Sequence, residues 1–273
     1  MQDLQGKKVL VTGAASGIGR ELSLAFAAEK AVVLLVDIDE TGLEETSGML
    51  ARMKADSSSY VVDVSDRQQV GDMAAKVREE FGSLDVLVNN AGVFVWADIA
   101  DTTLEDWDWM VGVNLWGPIH TINAFLPGMI ERKGGHIVNV ASLGGLVTMP
   151  TVGAYSTTKF GLVGLTETLQ HELKPHNIAV TLVCPGNIRT PIIDHIKVRG
   201  YDREKLTKLS YGVMPRMAAD KAAAIILRGV KRDRAMVVLT PSAHLMWYIK
   251  RLSPRFYRVL LGDPMQKVYE RMR

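Results

Sequence analysis

A chain of 273 residues, 47% of them hydrophobic, is long enough for one large α/β domain, and its single cysteine excludes an intrachain disulfide framework and a cysteine-rich zinc site. The formal net charge of +2 conceals an asymmetry. From Lys231 onward ten Lys and Arg face three Asp and Glu, so the body is mildly acidic and lacks the spread of basic residues that a nucleic-acid-binding face needs.

The start, residues 1–6, is short and polar, leaves no room for a signal peptide before the first apolar run, and predicts a protein that folds in the cytoplasm. Apolar, β-branched runs at 9–11, 32–36, 60–64, 86–88, 137–140 and 178–183 show little polar alternation, as strands buried on both faces should. Between them lie helix-length segments at 17–28, 43–54, 66–81, 104–131 and 152–173. Strand then helix, repeated, predicts an α/β fold: a Rossmann-like doubly wound parallel sheet in a single domain. Cys184, in the apolar run Val180 to Cys184, reads as a small core residue rather than a nucleophile. The pattern loosens over 187–215, a candidate lid, then resumes with a helix at 221–230 and a strand at 236–240. The division expected is a dinucleotide-binding and catalytic domain, 1–240, followed by a basic amphipathic helical tail, 241–273, broken at Pro254.

The first strand runs into Gly13-Ala14-Ala15-Ser16-Gly17-Ile18-Gly19, after which a helix begins. Glycines at a strand-to-helix turn let the backbone approach a pyrophosphate at the helix N-terminus, where unpaired N–H groups favour negative charge. The spacing is GxxxGxG, and its weight comes from the strand and helix that flank it. Asp37 closes the second strand, where a carboxylate accepts hydrogen bonds from ribose hydroxyls; it could also serve only as a turn or cap residue. An acid there repels a 2′-phosphate, and neither Ser16 nor Ile38 supplies a compensating cation, so NAD is favoured over NADP.

These residues, taken with Asn89-Asn90-Ala91-Gly92, Asn114, Ser142, Tyr155-Ser156-Thr157-Thr158-Lys159 and Pro185-Gly186, give a chain that resembles the short-chain dehydrogenase/reductase family over roughly residues 7–240. Order and spacing match throughout, with Ser142 thirteen residues before Tyr155. A second YxxxK, Tyr201 to Lys205, has Ile188 where the serine belongs and reads as a decoy. The resemblance implies an oxidoreductase moving hydride between NAD(H) and a secondary alcohol or ketone. Its catalytic set would be Asn114, Ser142, Tyr155 and Lys159. Cofactor contacts would come from Gly13, Ser16, Gly17, Ile18, Gly19 and Asp37; from Asp63 and Val64 at adenine; from Asn90 on the adenosine side; from Tyr155 and Lys159; and from Ile188 and Thr190 at the carboxamide.

The chemistry asks for such a set. Hydride transfer leaves or requires a proton on the substrate oxygen, and a free tyrosine, with a pKa of about 10, is a poor base at neutral pH. Lys159, one helical turn from Tyr155, projects from the same face and is expected to lower that pKa. Ser142 would hold the substrate oxygen toward Tyr155. The resemblance adds that Lys159 reaches the nicotinamide ribose and that Asn114 holds a proton-relaying water. Taken alone, Asn114 could equally be a structural amide of a helix interior.

Val93 to Trp96, Leu143 to Pro150 and the lid residues Ile192, Ile193, Ile196, Val198, Leu209, Tyr211, Val213 and Met214 are expected to line an apolar pocket suited to a bulky steroid-, retinoid- or lipid-like substrate. The tail has two readings: it docks on its own domain or a neighbouring subunit, or it lies on an anionic membrane surface, with no apolar run long enough to span one. The family resemblance implies a homo-oligomer, dimer or tetramer, paired through 104–131 and 152–173. The six histidines form no HExxH, and no GxxxxGK[ST] or GxSxG occurs, so no metal site, nucleotide-triphosphate hydrolysis or hydrolase elbow is expected. A nucleotide-sensing protein without turnover is the competing class.

Overall fold

The apolar runs become strands because both faces of one sheet are covered. The computed structural model describes residues 2–193, 196–212 and 216–272. Its main sheet has seven strands: β1 (Lys8–Thr12), β2 (Val32–Asp37), β3 (Ser57–Val61), β4 (Val86–Asn89), β5 (Gly135–Val140), β6 (Ile178–Cys184) and β7 (Met236–Val238). All pair in parallel, in the order β3-β2-β1-β4-β5-β6-β7. Strand order reverses between β1 and β4, so a crevice opens beyond their carboxyl ends, where ligands bind in open sheets of this kind.

The helices are α1 (Gly17–Ala28), α2 (Glu40–Arg52), α3 (Arg67–Phe81), α4 (Leu104–Val111), α5 (Gly117–Arg132), α6 (Gly153–Glu172), α7 (Arg203–Gly212), α8 (Ala219–Lys231), α9 (Pro241–Leu252), α10 (Pro254–Tyr257) and α11 (Asp263–Glu270). Alternate strand residues feed opposite layers: Val9, Val11, Val33 and Leu35 pack with Leu22 and Phe26 of α1 and Ile226 of α8. Leu10, Leu34, Leu87 and Ile137 meet Met73 of α3 and Phe125 and Met129 of α5. This is why the strands carry almost no polar alternation. The doubly wound parallel sheet expected from the sequence is the fold observed.

Three boundaries differ from expectation. The third strand is Ser57–Val61, not 60–64, because it is the sheet's edge: backbone pairing of Ser57, Ser58 and Ser59 with β2 defines it, and no apolar run is needed there. The second helix begins at Glu40, earlier than 43, since the Asp39 carboxylate accepts from Gly42 N and caps it. The long segment 104–131 is not one regular helix, for a π-helical turn, Gly112–Trp116, interrupts it around Asn114.

Within 187–215 the described residues are more ordered than a loop. Ile188–Arg189 pairs with Met217–Ala218, Lys197–Val198 pairs with Val95–Trp96, and α7 follows. Val213 and Met214, expected in the lid, lie outside the described residues. The tail breaks at Ser253–Pro254, and a second π turn, Arg258–Gly262, joins α10 to α11. It packs on its own chain: Ala243, Met246 and Tyr257 join a core with Leu146, Val147 and Cys184, and the Tyr257 hydroxyl donates to Thr148 O at 2.9 Å. No described helix is long and apolar enough to cross a membrane.

Candidate active site

Construction of the site begins in the β1–α1 turn. Gly13 and Gly17 take φ of 68° and 55°, a left-handed conformation that a side chain would strain. Gly19 is buried, and a Cβ there would run into Gly13 O and the Asn90 amide, so this glycine lets helix and loop close on each other. Thr12 and Asn90 hold the turn from the β4 side. Thr12 Oγ1 accepts from Asn90 N and Ala91 N, while Asn90 Nδ2 donates to Thr12 O at 3.0 Å and Gly13 O at 3.2 Å. Ser16 occupies the N-cap of α1 without making a side-chain cap bond, and the first turn carries no acid. The helix therefore presents its N-terminal N–H groups to the crevice.

Asp37, at the end of β2, is half-buried. One carboxylate oxygen accepts from Ala15 N at 2.9 Å and the other from Asp39 N at 3.1 Å. It thus closes the glycine loop against the next strand while still facing the crevice.

The crevice is a cavity of about 480 Å³ lined by Gly13, Ser16, Gly17, Ile18, Asp37, Asp63, Val64, Asn90, Ser142, Tyr155, Lys159, Ile188 and Thr190, together with Ile38, Phe94, Trp109 and Ile192. Two residues expected at the site are not in its wall: Gly19, packed beneath the loop, and Asn114, which is fully buried. Asn114 Oδ1 accepts from Val93 N at 2.8 Å, and its Nδ2 donates to Val93 O at 2.9 Å and to Thr158 Oγ1 at 3.2 Å. The π turn thereby delivers an amide that fixes both the segment that follows Gly92 and the helix carrying Tyr155.

Tyr155 and Lys159 lie on α6, one turn apart, and Ser142 follows β5. Burial pushes the Tyr155 phenol above its ordinary value, and its hydrogen bond with Ser142 pulls the other way. Lys159 does not lower that phenol as expected. Its Nζ is engaged with Val140 O at 3.1 Å, lies 5.8 Å from the Tyr155 ring centroid, and is itself pushed down to about 8 by burial. Desolvation is the largest cause of both shifts. Cys184 is fully buried behind this group, with its thiol pushed up to about 12.

The substrate end differs from the expected lining. Val93 and Phe94 face the cavity, with Phe94 edge-on to Tyr155 at 4.6 Å. Leu146 and Val147 turn away into the core beneath the tail. Of the lid residues, Ile192 lines the cavity, whereas Ile196 is buried with Trp96, Leu206 and Tyr269. Sequence reasoning missed Trp109, held under Lys197 at 3.9 Å, and the wall it forms, because only the pairing of Lys197–Val198 with Val95–Trp96 brings these segments together. The decoy motif is dispersed: Tyr201 donates to Asp98 at 2.9 Å and Lys205 pairs with Asp202, both away from the cavity wall.

The short chain dehydrogenase family model matches residues 7–198. The chain belongs to the short-chain dehydrogenase/reductase family. Among curated relatives, a putative oxidoreductase SadH of Mycobacterium tuberculosis is 32% identical over 98% of this chain and 99% of its own. A probable oxidoreductase EphD of Mycobacterium bovis is 36% identical over 92% of this chain, which spans only 44% of that relative's length. Among solved structures, a short-chain dehydrogenase/reductase from Burkholderia phymatum in complex with NAD superimposes with a TM-score of 0.85 at 29% identity, covering 93% of this chain and 96% of that one. A metagenomic short-chain oxidoreductase in complex with NADP gives 0.73 at 29% identity, covering 88% and 99%. Members of this family thus accommodate either nicotinamide cofactor.

Proposed function

We propose that this chain is an NAD(H)-dependent oxidoreductase that interconverts a secondary alcohol and its ketone, acting on a bulky apolar substrate. The observation that carries the reading is that Tyr155, Ser142 and Lys159 line the same cavity as the glycine loop and Asp37. The fit to a dinucleotide rests on chemistry already described: an uncapped helix N-terminus for the pyrophosphate and, at the end of β2, a carboxylate for the ribose hydroxyls. Ile38 beside Asp37 and Ser16 in the loop leave a 2′-phosphate without a partner, which favours NAD over NADP. Asp63 and Val64 flank the adenine position, and Ile188 and Thr190 the carboxamide position.

A nicotinamide bound there supplies or accepts the hydride. Ser142 donates to the substrate oxygen and keeps it within reach of Tyr155. Because burial favours the protonated phenol, Tyr155 is ready to act as the acid that protonates a developing alkoxide when a ketone is reduced. Lys159 holds positive charge beside the transfer, and Asn114 acts from behind by fixing Val93 and Thr158. The apolar walls of Phe94, Trp109 and Ile192 support a steroid-, retinoid- or lipid-like substrate over a sugar.

The catalytic unit is taken to end near residue 240, with 241–273 as an extension docked on it. Exposed Leu104, Trp116 and Phe160 on α4, the π turn and α6 support pairing of this enzyme into a homo-oligomer. The test is NADH and NADPH titration followed by a screen of apolar ketones and alcohols against polyols, with Tyr155→Phe as control. NADH binding with turnover abolished in the variant supports the enzyme. Binding without turnover across the panel would favour a nucleotide sensor, and a preference for polyols would remove the apolar substrate.

A further inference from the structure

The tail helices are apolar on two sides, and only one side is covered. In α9, Ala243 and Met246 are buried against the domain, yet Leu245, Tyr248 and Leu252, at i, i+3 and i+7, are 61%, 52% and 85% exposed on the other side. The next helical segment repeats this: Tyr257 and Tyr269 are buried, while Phe256, Val259 and Leu260 stand out. These six are among the fourteen exposed large hydrophobic residues of the described chain and fall within sixteen consecutive positions, so the exposure is a patch and not a scatter. A helix that is hydrophobic all round needs burial on both faces.

Charge identifies the cover. From Arg234 to Gly262 the chain carries Arg234, Lys250, Arg251, Arg255 and Arg258 and no acidic residue. Lys250 is turned inward, donating to Leu146 O at 3.0 Å. Arg251, Arg255 and Arg258 are exposed among the apolar residues, and none of the three makes an ion pair among the described residues. A second copy docking through a twofold axis would set this patch on itself, three arginines against three, with no acid in the patch to relieve them. An anionic lipid surface neutralises the same arginines and takes up the apolar side chains between them.

We propose that the outer face of 245–260 is a membrane-docking surface that lays α9 and α10 flat in the interface of an anionic bilayer. The same tail packs Tyr257 against Thr148 and, through α11, Tyr269 against Trp96, which in turn meets Phe94 of the cavity wall. The proposal stands independently of the catalytic reading.

The experiment is co-sedimentation of the full chain with phosphatidylcholine vesicles, with or without phosphatidylserine, at low and at molar salt. The protein is expected to pellet with phosphatidylserine vesicles only, and to be released by salt. Replacing Arg251, Arg255 and Arg258 together by Gln should weaken partitioning about a hundredfold, at about fivefold per cation lost. Leu252→Ser with Phe256→Ser should weaken it at least about tenfold. These side chains are exposed, and matching circular dichroism melts would establish that the variants fold. Tyr155→Phe should pellet like the parent, which separates this surface from the activity. Failure to pellet, equal pelleting with neutral vesicles, or an unchanged arginine variant would overturn the proposal. So would a drop in oligomer mass in Leu252→Ser with Phe256→Ser, since a second copy would then be the cover.

Discussion

Lys159 Nζ donates to the main-chain oxygen of Val140 at 3.1 Å, which anchors the α6 lysine to the end of β5 and holds it in the cavity wall beside Tyr155. Burial brings its pKa down to about 8. If its positive charge supports proton delivery to the ketone, kcat/KM for reduction should be flat below pH 8 and fall about tenfold per unit above it, since the charged form is lost there. A pH profile of NADH oxidation measures this, and a profile level to pH 10 would mean that the charge is not used. Lys159→Met should lose reduction at every pH.

Asp37 serves both loop and ligand. Asp37→Ser should remove the acceptor for Ala15 N and the ribose partner together, raising Kd for NADH roughly tenfold to a hundredfold, in line with about 1.5–3 kcal/mol for a hydrogen bond to a charged group. Adding Ile38→Arg should turn the preference toward NADPH. Fluorescence titration with both cofactors reads the ratio, and a ratio unmoved by the double change would show that Asp37 does not select the cofactor.

Asn114 makes two part-buried hydrogen bonds to Val93 and a buried one to Thr158. Asn114→Ala leaves the Val93 N–H and C=O and the Thr158 hydroxyl without this partner, and urea unfolding should show a loss of about 1–3 kcal/mol. Because the residue stands behind the cavity, Kd for NADH should change less than kcat. A variant as stable as the parent would show that water or a shifted backbone replaces the amide.

Aromatic rings relay the tail to the site: Tyr269 meets Trp96 at 5.8 Å, Trp96 meets Phe94 at 5.7 Å, and Phe94 meets Tyr155 at 4.6 Å, each pair edge to face. Tyr269→Ala empties a nearly fully buried position and should cost about 3–5 kcal/mol. KM for the apolar substrate should rise while cofactor affinity holds. Equal KM values in steady-state kinetics would separate the tail from the substrate wall.

His136 is fully buried, bonded through Nε2 to Thr181 at 2.8 Å, and its pKa is lowered from 6.5 to about 4 by burial. The unfolded chain takes up this proton near pH 6.5 and the folded one only near 4, so stability from this residue is lost as the pH falls through that window. The loss is about 2 kcal/mol between pH 7.5 and 5. Urea melts of the parent and of His136→Gln should differ in their pH slope over this range; parallel slopes would contradict the assignment.

Much of this is legible in the sequence. Strand and helix order follows from apolar runs, because a parallel sheet covered on both faces has to be built from them; the glycine loop and Asp37 are legible at the strand ends, and the family resemblance is what sets Tyr155 and Lys159 apart from the second YxxxK. The edge strand was misplaced because Ser57–Val61 is held by backbone bonds, which leave no hydropathic trace. The π turn at Gly112–Trp116 was invisible for a related reason: the partners of Asn114, Val93 and Thr158, are distant in sequence.

Period, set by bonds between near neighbours, determined the doubly wound sheet and the place of the glycine loop and Asp37, while the catalytic set was implied by the family resemblance. Long-range packing alone decided that Phe94, Trp109 and Ile192 wall the substrate end, that Leu146 turns inward, and that burial raises Tyr155 while lowering Lys159. It also decided which side of the tail faces the domain. Desolvation and side-chain contact depend on what the whole chain brings to one place, and a linear pattern carries no record of that.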